Sequence, residues 1–342
     1  MSRELRHLLP TLLLATALLA SPGGCTPCPE KLASIDEIVT AHNANAAAVP
    51  QLWARVELSV TLKPDGMPEV TWRSGSPTSL LLYRRGKSPN GPHDFVLVGR
   101  ETAAVELFRM GSGTAQNLYY FWYKLGDRAQ AWFGRLDLAG APDVKYLPID
   151  PTQLLGVLGI TPLPGQPGQL PAAALSMRNT PGDCAYVVKV IEPQPVSNRV
   201  RFTREMIIPW RDGEPLHPKQ VNIFDGAGRR AMTATLSDYR PIDVSSMDDP
   251  PAKSPVMPTD IDIVCNKLPG VTTVVRRIHL RISKMTVEDI WLPEAVTFQP
   301  PAGAKVVQVD ANVDRPAGKH TMPPTKGAVT QHAETNAKRG EQ

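Results

Sequence analysis

Apolar and polar residues alternate most regularly between Leu52 and Leu62. Every even position in this range is apolar, whereas the odd positions carry mostly charged and hydroxyl side chains. Strict alternation gives a β-strand one covered face and one face in contact with water. Asp65-Gly66 follows, and glycine tolerates the positive φ that tight hairpins require. The pattern predicts a long, half-buried strand that ends in a turn.

Shorter β-like runs continue along the chain and are separated by turn residues. They predict strands at 80–84, 95–99, 103–110, 118–124 and 131–136, and then at 186–191, 200–208, 221–224, 231–239, 261–265, 278–284 and 296–298. Short strands at this spacing favour an antiparallel meander over βαβ units.

Two helices interrupt the β pattern. Ser34 and Glu37 form a capping box, in which each side chain binds a free amide of the first turn, and Pro50 ends this helix. Asp150 and Pro151 are an N-cap and a first helical residue for a second helix, which stops at Gly159. Residues 162–180 read as a loop insertion, since the prolines of 162–171 cannot join a strand ladder.

This element order predicts a mainly β protein with a few helices (α+β). Two short helices are scant cover for the apolar face of about a dozen strands, and every such face must be covered. A sheet that curls on itself solves this problem, so we expect a strongly curved antiparallel sheet.

Composition excludes several classes of protein. The 342 residues include 35 Pro and 25 Gly, which argues against long helices, because proline breaks them. Lys plus Arg number 37 against 33 acidic residues, and this small excess is not clustered as in a nucleic-acid-binding protein. The scattered His and Cys residues predict no metal site, and the sequence predicts no cofactor.

The N-terminus has the features of an export signal. Arg3 and Arg6 precede an uncharged stretch from Leu8 to Ala20, which is shorter than the about 20 residues that span a bilayer. We therefore predict a signal peptide at 1–24, a tether at 25–33, one domain at 34–315 and a disordered tail at 316–342, where few apolar residues remain.

The small residues before Cys25 resemble a bacterial lipobox, with Pro22 where an aliphatic residue is usual. The resemblance implies that Cys25 becomes the lipidated N-terminus, acylated with chains such as palmitate. It places the protein at the periplasmic face of the cell envelope, on the outer membrane. More than one acyl chain is needed for a firm anchor.

The order of elements and several short motifs resemble the LolA/LolB-like lipoprotein-sorting superfamily over about residues 31–303. The motifs are Ile207 to Gly213, Pro215, Pro218, Val221, Ile223, Phe224-Asp225, Gly228, Asp238-Tyr239-Arg240, Met257-Pro258, Ile261 to Ile263, Leu280, Ile282, Leu292-Pro293 and Phe298 to Pro301. The resemblance implies an incomplete β-barrel with a helical lid and a cavity for lipid acyl chains or lipidated proteins. In some members a first-strand arginine regulates opening; Arg55 is the candidate, although alternation places it opposite Val56.

The apolar strand positions supply the expected cavity lining. These are Val56, Leu58, Val60, Leu80, Leu82, Val96, Val98, Tyr120, Trp122, Leu280 and Ile282. A packed core without a cavity remains the alternative, because alternation does not distinguish a filled barrel from an open one.

Candidate chemistry is sparse. No nucleophile elbow or phosphate-binding glycine loop is present, so we predict that the protein is not an enzyme. Cys184 and Cys265 allow a disulfide in an oxidising compartment, against two buried free thiols. The predicted function is lipid handling or lipoprotein sorting; the alternative is a non-catalytic envelope sensor or scaffold with protein partners. The sequence leaves the oligomeric state open.

Overall fold

The computed structural model describes residue 28 and residues 32–74, 78–88, 91–141, 143–165, 169–180, 183–194, 199–210, 215–288 and 293–313. One compact unit extends to Asn312. The predicted signal peptide (1–24), Cys25 and the predicted tail (316–342) lie outside the described residues. No described helix has the length and apolar character needed to cross a membrane.

Two helices and fifteen strands make up the described fold. The helices are α1 (Ile35–Ala47) and α2 (Pro151–Leu158). The strands are β1 (Gln51–Lys63), β2 (Val70–Arg73), β3 (Ser79–Arg84), β4 (Asp94–Arg100), β5 (Glu106–Gly113), β6 (Leu118–Leu125), β7 (Arg128–Arg135), β8 (Ala172–Thr180), β9 (Asp183–Pro193), β10 (Val200–Pro209), β11 (Gln220–Phe224), β12 (Arg230–Pro241), β13 (Val256–Cys265), β14 (Val274–Thr286) and β15 (Lys305–Gln308).

All strands belong to one sheet, in the order β15-β7-β6-β5-β4-β3-β1-β14-β13-β12-β11-β10-β9-β8, with β2 paired to β1. Neighbours are antiparallel except β15 and β7. The sheet has two wings, β3–β7 and β8–β13, joined through β1 and β14. Helix α2 contacts β4, β5 and β6 of one wing and β11 of the other, so the sheet curves around it. The predicted fold class, an incomplete barrel with helical cover, is confirmed.

Local signals place the helix ends as expected. The Glu37 amide donates to Ser34 Oγ at 3.1 Å, and the Glu37 carboxylate accepts from the Ser34 amide at 2.7 Å, which completes the capping box. Asp150 accepts from the Thr152 amide at 2.9 Å, and Gly159 ends α2 with φ 72°. Both helices therefore begin where side chains satisfy free amides.

Two element predictions are wrong. The second half of the 162–180 insertion is a strand, β8, which pairs with β9 and forms one sheet edge. Residues 296–298 do not form a strand: a 3₁₀ helix covers Pro293–Val296, and the last strand is β15. β8 forms by pairing with the next strand, β9, and Val296 packs on residues of β3 and β4 that are distant in sequence. Packing against other elements decided both places, and the periodicity of one segment does not contain it.

Candidate functional site

The eleven residues predicted to line one cavity lie on opposite faces of the sheet. The inner face, which carries the even positions of β1 and faces α2, holds Val56, Leu58, Val60, Leu280 and Ile282. The outer face holds Leu80, Leu82, Val96, Val98, Tyr120 and Trp122. Register decides this division: Leu82 pairs with Trp53, and Leu80 pairs with Arg55, both odd positions of β1. The single lining set predicted from alternation is therefore wrong.

A C-terminal strap, residues 293–309, covers the outer set. Val296 packs on Leu82, Val96 and Val98. Further along, the Phe298 ring centroid lies 5.3 Å from that of Tyr120, whose hydroxyl donates to the Val296 carbonyl at 3.0 Å. The outer apolar positions thus form a second core that the chain covers itself.

The inner face is tightly packed around Leu58. A methyl group on Gly99 would lie 2.9 Å from Leu58 Cδ2 and 2.9 Å from Trp72 Cζ3. Real carbon atoms do not approach so closely, so these side chains fill the space over Gly99. The packed-core alternative describes this part of the inner face.

Two cavities lie elsewhere, beside α2, and none of the eleven predicted residues lines either one. The cleft has a volume of about 520 Å³ and runs between α2, residues 161–164 with Pro171, and strands β9 to β11. The polar pocket, of about 530 Å³, lies between residues 140–150 and the loops at the ends of β9 to β12. Gln153 and Arg201 line both, so the two cavities adjoin.

Apolar side chains form much of the cleft wall. They include Leu155, Pro162, Pro164, Pro193, Ile223 and Phe224. Charged groups in the lining are Arg201, Arg204, Glu192 and Asp137, and Asp137 is paired with Arg135. An apolar concavity with a few polar groups is the usual form of a small-molecule site.

Arg204 is the unusual residue of this cleft. It lies on the inner face of β10, opposite Ile223, and is 8% exposed. Its Nη1 donates to the Gly156 carbonyl and to Thr161 Oγ1, both at 3.2 Å. No carboxylate of the described residues lies within ion-pair distance of it, and burial lowers the pKa of its guanidinium. A buried charge with only neutral partners is costly.

Arg201 lies between the two cavities. Its Nη1 donates to the Gly140 carbonyl at 3.1 Å, and its Nη2 is 3.7 Å from Glu192 Oε2. Its Nε is buried and, within the described part of the chain, has no hydrogen-bond partner. Gly140, with φ 77°, has no room for a side chain, since a Cβ there would lie 1.7 Å from Arg201 Nη1.

Two buried histidines near the cleft are held neutral. Burial lowers the pKa of His93, a cleft residue, to about 4, and Arg85 adds to this effect. Burial also lowers the pKa of His42 to about 4, although its ring bonds the Thr161 carbonyl at 2.9 Å. Neither ring adds charge to the cleft at neutral pH.

Several polar side chains lie apart from the cleft. Asp260 is hydrogen-bonded to His279 at 3.0 Å, and Asp262 forms an ion pair with Arg277 at 2.6 Å. Arg55 lies on the outer face, 5.5 Å above the Trp53 ring. Among the described residues, no three His, Cys, Asp or Glu side chains are grouped as metal ligands.

Neither of the two alternatives for Cys184 and Cys265, a disulfide between them or two free thiols, describes the structure. Cys184 is bonded to Cys28, with the two Cα atoms 5.6 Å apart, and Cys265 is a buried free thiol. Cys184 is on β9 and Cys265 on β13, four positions apart in the strand order. Neighbouring strands are about 4.8 Å apart, whereas a disulfide requires Cα atoms within about 7 Å.

Sequence reasoning missed the cleft, although one signal for it was present. Phe202, Arg204, Met206 and Ile208 are alternate residues of β10, so a charge interrupts an otherwise apolar row. A buried charge in a core lowers the stability of the fold, so a charge at such a position indicates a role other than packing. The cavity itself depends on how α2 and residues 161–164 pack against the sheet, which periodicity does not encode.

Comparisons with known proteins find structural similarity only. No family model and no curated protein matches the chain. An outer-membrane lipoprotein-sorting domain from Vibrio parahaemolyticus is 10% identical, with a TM-score of 0.41, and the alignment covers 76% of this chain and 95% of that one.

Two further solved structures are similar. A LolA superfamily protein from Nitrosomonas europaea is 12% identical, with a TM-score of 0.41 and coverage of 78% of this chain and 99% of that one. A DUF1329 family protein from Desulfovibrio piger is 11% identical, with a TM-score of 0.39 and coverage of 75% and 95%. At identities of 10 to 12%, these similarities concern the fold alone.

Proposed function

We propose that the protein is a non-enzymatic, membrane-anchored lipoprotein of the cell envelope that binds acyl chains, of lipids or of lipidated proteins, in the cleft. The cleft carries this proposal. Its volume of about 520 Å³ falls within the about 300–1,000 Å³ of small-molecule sites, and its wall is largely apolar. It lies between the wings of an open sheet, where an elongated ligand can enter.

The Cys28–Cys184 disulfide supports an exported location. Disulfides persist in oxidising compartments such as the periplasm. Cys28 is three residues after Cys25, and three extended residues span about 10–11 Å. A lipidated Cys25 would therefore hold the beginning of β9 close to the outer membrane.

The anchor is tested by changing Cys25 to Ala. The protein should move from the membrane fraction to a soluble or uncleaved form, because the acylated thiol would be lost. Processing and fractionation identical to the wild type would refute the lipoprotein part of the proposal.

Binding is tested with the full-length protein and a pyrene-labelled neutral acyl ester. Thr203 lines the cleft, and Thr203→Trp fills it. Thr235→Trp is the matched control, since Thr235 is an exposed β12 residue that lines neither cavity. We expect saturable uptake by the wild type and by Thr235→Trp, with at least a ten-fold loss for Thr203→Trp.

Native mass spectrometry of the gently extracted protein gives a second readout. A bound lipid in the wild type and an empty Thr203→Trp variant are expected. Empty wild-type protein without probe uptake, together with stable protein partners after cross-linking, would replace the proposal with the sensor or scaffold function.

A further inference from the structure

The inner face of β10 carries a positive charge where an apolar side chain is expected. Arg204 precedes Met206 and Ile208 on this face, a register shift separates it from Phe202, and it is nearly as buried as the apolar residues around it. Its hydrogen-bond acceptors, Gly156 and Thr161, are both neutral. A methionine or leucine at this position would give the folded protein equal or higher stability, since replacing buried charges with apolar side chains is often neutral or stabilising.

The charged groups around the cleft leave Arg204 without an ion-pair partner. Arg201 and Arg204 both line the cleft, and Glu192 lies 3.7 Å from Arg201 but acts on Arg204 only from beyond ion-pair distance. Asp150 in the adjoining pocket also interacts with Arg201, Asp137 is paired with Arg135, and His93 is neutral at pH 7. Among the described residues, the Arg204 guanidinium therefore has no carboxylate in ion-pair contact and can bind an anionic ligand.

The guanidinium donors are also incompletely used. Only Nη1 of Arg204 donates to described protein atoms, and Nε of Arg201 is buried without a partner in the described structure. Guanidinium groups bind carboxylates and phosphates through paired, charge-assisted hydrogen bonds. An anion that enters the cleft would supply the missing acceptor.

We infer that the cleft selects acyl chains that end in an anionic group, a carboxylate or a phosphate monoester, which binds the guanidinium groups of Arg204 and Arg201. The apolar wall holds the chain, and the arginines hold its charged end. This inference rests on the proposed function, because it concerns the same cleft, and it names the class of ligand.

The test measures charge preference at constant chain length. Dodecanoic acid, dodecyl phosphate and methyl dodecanoate compete at pH 7 with the pyrene-labelled neutral ester for the full-length protein. A hydrogen-bonded charged group contributes about 1.5–3 kcal/mol, which corresponds to an affinity ratio of about 10 to 150. We expect at least one of the two anions to bind at least ten-fold more tightly than the methyl ester.

Arg204→Met should reduce the ratio of anion affinity to methyl-ester affinity to about one, because the charge is lost while the site stays apolar. Arg277→Met is the matched control: Arg277 is exposed on β14 and pairs with Asp262, away from the cleft. It should behave like the wild type. Melting temperature distinguishes a ligand-binding role from a structural one, and Arg204→Met should melt at the wild-type temperature or higher.

Each of the other possible results contradicts either this inference or the proposed function. Equal affinity for acid, phosphate and ester in the wild type overturns this inference and leaves acyl binding intact, whereas no binding of any probe overturns the proposed function. Inorganic phosphate binding as tightly as dodecyl phosphate would show a site for free anions and not for lipid. If Arg204→Met does not fold, Arg201→Met and Arg204→Gln are measured instead. Full charge preference in both variants, together with a lower melting temperature, assigns the arginines to structure and refutes the inference.

Discussion

The contact between Leu58 and Gly99 predicts that two destabilising substitutions partly compensate each other. Leu58 is 2% exposed, and its Cδ2 occupies the space that a methyl group on Gly99 would need. Leu58→Ala empties this space, whereas Gly99→Ala crowds it. In the double variant, the new methyl group fills part of the volume that the leucine has left.

Published ranges for such changes set the magnitudes. A buried Leu→Ala substitution costs about 2–5 kcal/mol, through lost contacts and the void. Gly99→Ala places a methyl group 2.9 Å from Leu58 Cδ2, 2.9 Å from Trp72 Cζ3 and 3.0 Å from Phe108 Cβ, and overpacking of this kind costs about 1–3 kcal/mol. The double variant should lose less than the sum, with a coupling free energy of about 1–2 kcal/mol.

Urea unfolding of the four proteins, followed by tryptophan fluorescence, measures the coupling. Ligand affinity of Leu58→Ala should match the wild type, because Leu58 does not line the cleft. Additive losses would show that the two side chains do not share the space. A weak effect of Leu58→Ala, near 1 kcal/mol, combined with reduced acyl binding would show that the inner face holds an open cavity at Leu58.

Three further predictions concern the disulfide, the strap and acid stability. Cys28→Ser should lower the free energy of unfolding by up to about 5 kcal/mol, the chain-entropy value for the 156-residue separation, and added reductant should then have no further effect on the urea midpoint. Phe298→Ala should lower the free energy of unfolding by less than the about 3–5 kcal/mol expected for a fully buried phenylalanine, because Phe298 is only partly buried. Acyl affinity should not change, since the strap covers the outer face, and a reduced affinity would contradict this separation of the strap from the cleft. His42 has a pKa of about 4 when folded and about 6.5 when unfolded. Its contribution to the free energy of unfolding is therefore complete above pH 6.5, and up to about 1.4 kcal/mol of it is lost per pH unit as the pH falls toward 4. His42→Gln should make the melting temperature less dependent on pH between 6.5 and 4.5, and an unchanged pH dependence would count against a buried neutral His42.

Local sequence determined most elements of this protein. Alternation over Leu52–Leu62 predicts β1, and the Ser34 and Asp150 caps predict the beginnings of α1 and α2. These signals are local, because the groups that satisfy a helix end or define a strand face lie within a few residues of each other. The mainly β class and the need for a curved sheet follow from the same patterns.

Tertiary structure alone decided which faces meet and where a cavity remains. Leu58 and Leu82 have the same apolar character, yet they lie on opposite faces, because register pairs Leu82 with Trp53. Cys184 bonds to Cys28, which is distant in sequence, and the unpaired charge of Arg204 becomes a feature of a cleft only when α2 covers β11. A shift of one residue in pairing reverses every side chain of a strand, and periodicity within one strand contains no information about its partner's register.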